Sequence, residues 1–347
     1  MNHIAFPSIG QFRQTIKHIK DSAKYHDVPL PTIKFEGTVK IHGTNAGVVR
    51  TQNGVIYAQS RERIITPESD NMGFAAFVKV NEDYFNTVFD YIKEVCGNTG
   101  ESIQLYGEWF GKGIQKGVGV SEVEKHFTIF KVRISDNAES QNWLNAKDIK
   151  LISYIAAVKS SKEKLVNVST IYDFPTYTVE VDFNNPELSQ NNFIELTEHV
   201  ERDCPVARTF LPDAPEGSLI GEGLVWTAIE CSEPKINIDG VMFKTKGEKH
   251  SVSKVKTLVA IDLEKVASVD EFVEKTVTEN RLKQGIDKLG EMGLEIDSKN
   301  TGDYLKWVMS DVFKEELETL VGSGLTTKDV SGKMATKART YFLNYIK

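Results

Sequence analysis

The apolar residues of this chain change their spacing once, and that change divides it in two. Up to about residue 250 they come mainly in short runs that alternate with polar residues; beyond it they return every three or four positions. Alternation places successive side chains on opposite faces of a strand, whereas the longer period lays one apolar stripe along a helix. The sequence therefore predicts an α+β body of antiparallel sheets and helices, residues 1–250, followed by a small all-α domain, residues 251–347. A length of 347 residues suits about two domains.

The clearest strand carries Ile33, Phe35, Gly37, Val39 and Ile41 in strict alternation and breaks at Gly43. Two β-prone runs, Val48-Val49 and 55–58, flank Asn53-Gly54, a strong hairpin signal. Further strands are expected at 103–105, 127–134, 223–230 and 240–246. Helical spacing marks 8–24 through Phe12, Ile16 and Ile19, and 74–95 through Phe77, Tyr84, Phe85, Val88, Tyr91 and Ile92. Another helix is expected over 191–202, ending before Pro205, whereas 135–215 is otherwise mixed and carries no recognisable motif. In the tail, Ser268 with Glu271 has the capping-box pattern and opens a segment with Phe272, Val273, Val277 and Leu282. Leu305, Val308, Met309, Val312, Phe313, Leu317 and Leu320 then share one helical face until Gly322 and Gly324. Val330, Met334, Tyr341, Phe342 and Tyr345 mark a last helix.

Composition narrows the classes. No apolar run approaches the roughly 18 residues of a membrane span, the opening residues lack the basic and apolar regions of a secretory signal, and mean hydropathy is −0.30. Cys96, Cys204 and Cys231 form no C-x-x-C and no even framework, which fits unpaired thiols in a reducing cytoplasm. A net charge of −7 argues against coating nucleic acid by bulk charge. A local basic cluster nevertheless gathers Lys244, Lys246, Lys249, His250, Lys254 and Lys256.

The chemistry concentrates where the first strand ends. Lys40 opens KIHGTN, beside a glycine whose bare backbone allows close approach of a phosphate. A lysine so placed is a candidate covalent nucleophile toward a nucleotide α-phosphate. With a free-lysine pKa of about 10.4, such a nucleophile needs burial or neighbouring cations. Lys244 and Lys246 alternate along one β-run, share a sheet face, and suit that task as well as phosphate neutralisation. Glu108 and Glu222 each lie beside glycine at a strand junction, where a carboxylate can meet a ribose hydroxyl or hydrated Mg²⁺. Arg61 follows the hairpin and can reach a phosphate; Phe130 offers an aromatic face to a purine.

Taken in order, Lys40-Ile-His-Gly43, Ser60-Arg61, Tyr106-Gly-Glu108, Phe127-Thr-Ile-Phe130, Glu222-Gly-Leu-Val and Met242-Phe-Lys244-Thr-Lys246 resemble the six motifs of covalent nucleotidyltransferases. The longer KIHGTN and FKTKGEKHS segments most resemble the phage-type RNA ligase 2 family. The resemblance covers roughly residues 8–256. It implies an ATP-dependent RNA ligase in which Lys40 becomes lysyl-AMP, with Ile41 beside it in the nucleotide site. Arg61, Lys244 and Lys246 would hold the AMP phosphate, Glu108 the ribose and Phe130 the adenine. Glu222 would support Lys40 and, with Glu108, hold Mg²⁺ (or Mn²⁺) through water. His42 and Asn45 would serve the RNA steps, joining a 5′-phosphate to a 3′-hydroxyl. It further implies a monomer in the cytoplasm, the host's if the gene is a phage's.

The rivals are a DNA ligase, a capping-type enzyme, and a non-catalytic nucleotide or RNA sensor of the same fold. The first two usually carry aspartate at the position of His42 and continue into a β-barrel, whereas this tail reads helical. No G-x-x-x-x-G-K-[ST] occurs, the run from Gly111 to Gly117 is one residue too long for G-x-G-x-x-G, and there is no H-E-x-x-H or C-x-x-C.

Overall fold

The structure is a computed structural model that describes residues 2–97, 102–135, 142–161, 166–250 and 268–347. The chain runs through α1 (Phe12–His26), β1 (Thr32–Lys40), β2 (Thr44–Arg50), β3 (Ile56–Ser60), β4 (Ile64–Ile65), α2 (Phe74–Val80) and α3 (Glu82–Val95). It continues through β5 (Ile103–Phe110), β6 (His126–Ile134), β7 (Trp143–Leu144), α4 (Leu151–Ser161), β8 (Val168–Thr170) and β9 (Thr176–Asp182). Then follow α5 (Gln190–Arg202), α6 (Pro205–Phe210), β10 (Gly223–Cys231) and β11 (Met242–Lys246). The tail holds α7 (Val269–Thr276), α8 (Glu279–Glu291), α9 (Thr301–Gly322) and α10 (Thr327–Tyr345).

Among the described residues the strands form two sheets. One is antiparallel in the order β11-β10-β1-β9, and the other runs β4-β3-β2-β5-β6-β7 with β8 also on β6. Alternation in β1 has the expected result: Ile33, Phe35, Gly37 and Val39 are buried while Lys34, Glu36 and Thr38 between them are half-exposed. Ile33, Phe35 and Val39 share a core with α1, α5, Trp226 and Phe243. The second sheet packs its apolar face on α2, α3 and α4. The helical tail has a core of its own around Phe272, Leu289, Val308, Met334 and Phe342. Antiparallel sheets with a separate all-α region are the fold class that the spacing predicts. Among the described residues no helix is long and apolar enough to cross a membrane.

Several details differ from expectation. The first helix begins at Phe12 rather than residue 8, because Gly10 bridges to Phe243 and the preceding residues run as an extended arm. The stretch 74–95 is two helices; the Asn81 side chain bonds the Phe77 carbonyl and interrupts the ladder. The strand expected at 103–105 extends to Phe110, so Glu108 sits within β5, opposite Asn45, and not at a junction. Strand β8 runs parallel to β6, an exception to the antiparallel pattern. From the stretch without motifs, β9 pairs with β1 along almost its whole length and braces the strand that ends in Lys40. In the tail, Ser268 accepts from the Glu271 amide as the capping pattern predicts, whereas Leu317 and Tyr345 are exposed. The expected boundary near residue 251, with Lys254 and Lys256, lies outside the described residues.

Candidate active site

The cleft forms where the chain passes from one sheet to the other. Lys40 is the last residue of β1, and Thr44 already belongs to β2 in the second sheet, so Ile41, His42 and Gly43 make the crossing. A Cβ on Gly43 would lie 2.3 Å from the Trp109 carbonyl, so the glycine is required by this close approach of β2 to β5. The Gly43 amide donates to Glu108 Oε1 at 3.0 Å.

Register explains the charge cluster. Lys40 pairs with Gly223, and Gly223 pairs in turn with Lys246, so two lysines flank a residue without a side chain. Gly223 has φ +148°, and a Cβ there would lie 2.1 Å from the Thr245 carbonyl. Glu222, the preceding residue, reaches into the gap. Its Oε2 accepts from Lys40 Nζ at 2.6 Å and lies 3.2 Å from His42 Nδ1, while Oε1 meets Lys246 Nζ at 3.1 Å. The carboxylate is 2% exposed. Burial alone would raise its pKa, but Lys40, Lys246 and His42 outweigh burial and hold it well below the usual carboxylate range. Glu108 is the opposite case: burial pushes it up to about 8 despite Lys40. Burial pushes Lys244 down, against the pull of Glu315.

Lys40, Ile41, His42, Asn45, Arg61, Glu108, Phe130, Glu222, Lys244 and Lys246 all line one cavity of about 480 Å³, within the range of small-molecule sites. Arg61 is turned inward because the Ser60 hydroxyl accepts from the Glu62 and Arg63 amides and closes a tight turn. Lys249 does not line the cavity, and its amide donates to Glu201. His250 sits edge-on to His42, ring centres 5.1 Å apart, and burial with His42 pushes it down to about 4. Glu222 has both oxygens engaged by cations, and among the described residues no group of three His, Cys, Asp or Glu suits a metal ion.

Two sets of lining residues carry no local sequence signal. One is the N-terminal arm: Tyr106 donates to the Ile4 carbonyl, Phe6 meets Phe130 edge-on at 4.9 Å, Ser8 accepts from Arg61, and the Gly10 carbonyl accepts from the Lys244 amide. The other comes from the helical tail, where Trp307, Asp311, Lys314 and Glu315 of α9 close one side. Their partners lie tens to hundreds of residues away, beyond the reach of any local pattern.

The arrangement brings cations from three segments to one aromatic-walled cavity, with a lysine at a strand end aimed by a buried carboxylate. It can neutralise a polyanion and present an amine to it. Among solved structures, variants of the Naegleria gruberi RNA ligase are similar. One with AMP and Mn has 15% identity and a TM-score of 0.44, over 72% of this chain and 58% of that chain. One with ATP and Mn has 15% identity and a TM-score of 0.45 over the same shares. The same ligase with PPi has 16% identity and a TM-score of 0.43, over 71% of this chain and 56% of that one. The chain thus spans under two thirds of the length of these proteins. No curated protein matches it. Residues 33–246, more than half of the sequence and bounding the cavity's two sheets, match the model of the family described as RNA ligase, and the chain belongs to that family.

Proposed function

We propose that the protein is an ATP-dependent RNA ligase of the phage-type RNA ligase 2 kind, working through a lysyl-AMP intermediate and active as a monomer. The observation that carries this reading is the Lys40–Glu222–Lys246 cluster across three adjacent strands, with Lys244 and Arg61 on the same cavity. The neutral Lys40 amine attacks the α-phosphorus of ATP; the P–N bond forms, the bond to the bridging oxygen breaks, pyrophosphate leaves with the electron pair, and the surplus proton on nitrogen passes to solvent or to the departing pyrophosphate. A carboxylate held as low as Glu222 is a weak base, so its role is to aim Lys40 and not to take its proton. Lys244, Lys246 and Arg61 neutralise charge on the phosphate, Glu108 bonds the ribose, and Phe130 and Ile41 border the base. Mg²⁺ or Mn²⁺ would supply further charge neutralisation when bound; with both Glu222 oxygens engaged by lysines, Glu222 and Glu108 would hold it only through intervening water. AMP then passes from Lys40 to an RNA 5′-phosphate, and a 3′-hydroxyl displaces it to leave a phosphodiester. His42 and Asn45 serve these later steps.

The test is to supply 5′-phosphate and 3′-hydroxyl RNA ends with ATP and Mg²⁺, as nicked duplex and as single strands. Adenylylated RNA followed by sealed product is expected. Use of GTP alone, or sealing of DNA alone, would favour the capping or DNA-ligase rival. Lys244→Ala and Lys246→Ala should each slow adenylylation by on the order of a hundredfold, through loss of a preorganised cation. Rates within about twofold of wild type would reduce both to structural lysines.

We further propose that residues 1–250 and 251–347 are separate folding units, on the strength of their separate cores. A chain ending near Lys256 should still form protein–AMP but seal RNA about a hundredfold more slowly, since small misplacements of reacting ends cost that much. Full-rate sealing by this truncation would remove the tail from the RNA steps.

A further inference from the structure

Helix α9 does more than border the cavity. Glu315 Oε1 meets Lys244 Nζ at 2.8 Å, although the two residues lie 71 positions apart and on opposite sides of the cleft. The carboxylate is 10% exposed, and its other oxygen accepts from Arg281 of α8 at 2.9 Å. Arg281, itself fully buried, is fixed in turn by Asp311 at 2.8 Å. Burial would raise Glu315, yet Lys244 and Arg281 bring it down to about 2, so it is ionised at any physiological pH. Behind this contact, α9 is docked on α1 by a second pair, Arg13 to Glu316 at 3.1 Å, with side chains 3% and 1% exposed. Arg13 also reaches Thr319 at 3.1 Å and the Glu315 carbonyl.

One cation therefore has two claimants. On the nucleotide reading given above, Lys244 receives a phosphate; in this structure it holds a carboxylate delivered by the tail. Two anions cannot share one partly buried ammonium at hydrogen-bond distance without strong repulsion. We propose that Glu315 is an internal anion that occupies the Lys244 phosphate subsite and shuts the helical tail over the cleft, and that nucleotide phosphate displaces it and releases the tail. Glu315 is then a positioning residue acting through Lys244. The exchange links ATP entry to withdrawal of α9 from the face that RNA ends must reach.

A site closed nine-tenths of the time loses about tenfold in apparent affinity. The full-length Glu315→Gln variant should accordingly bind ATP, and inorganic tripolyphosphate, about tenfold more tightly than wild type in metal-free buffer, where no chemistry occurs. Its KM for ATP should fall with the adenylylation rate at saturation unchanged. Small-angle scattering should show wild type expanding on addition of ATP, and Glu315→Gln already expanded without it. Arg13→Gln, which unfastens the tail without touching Lys244, should shift affinity in the same direction; Glu318→Gln, at the exposed Lys17 pair, should not. Weaker or unchanged binding by a folded Glu315→Gln, or scattering insensitive to ATP, would overturn the gate. Tighter tripolyphosphate binding without any protein–AMP in wild type would instead leave the gate standing and defeat the ligase reading.

Discussion

Lys40→Arg is expected to form no protein–AMP at all, although it keeps the positive charge and most of the length of the side chain. A guanidinium is effectively never deprotonated in a protein, so it offers no lone pair to the α-phosphorus. Lys40→Ala should fail for the simpler reason that the amine is missing. Neither change should unfold the protein. Lys40 ends its strand with the side chain 23% exposed, and without it Glu222 keeps Lys246 and His42 as neighbours. Radiolabel from α-labelled ATP, followed with thermal unfolding of each variant, separates lost chemistry from lost structure. Normal labelling of a folded Lys40→Ala would mean that the nucleophile lies elsewhere.

The second large effect is expected at Glu222. Removing this carboxylate leaves Lys40, His42 and Lys246 without their shared acceptor, so Lys40 loses its aim and three groups of like tendency face one another. Adenylylation by Glu222→Ala should drop at least a hundredfold, as when a preorganised electrostatic partner is deleted from an active site. Stability should fall too, because breaking one side of a buried ion pair typically costs about 3–5 kcal/mol. Glu222→Gln keeps the shape and one hydrogen-bond acceptor, and should recover stability better than labelling. Near-normal labelling by Glu222→Ala would show that Lys40 is aimed by something other than this carboxylate.

The first sheet and its chemistry were legible because their signals are local. Alternation in β1 locates Lys40 at the strand end, and Lys244 and Lys246 share a face because they lie two residues apart on β11. Glycine at 43 was also visible, and the fold gives it a further reason: a Cβ there would lie 2.3 Å from the Trp109 carbonyl. What periodicity misread is equally specific. Along α9 the buried line runs through Val308, Val312, Glu316 and Leu320, and not through Leu317, because Arg13 of α1 takes Glu316 as its partner. A charged residue thereby holds a core position and an apolar one faces water. The N-terminal arm was hidden for a related reason: Phe6 and Ser8 become site residues only when the second sheet brings Phe130 and Arg61 to them.

The most direct test of the account is to incubate the full chain with α-labelled ATP and Mg²⁺, digest the product, and locate AMP by mass spectrometry. The account predicts a single AMP on Lys40, through a phosphoramidate bond that is lost in acid and survives alkali. An adduct on Lys244, Lys246 or any other residue, or a folded protein that binds ATP and forms no adduct, would contradict it.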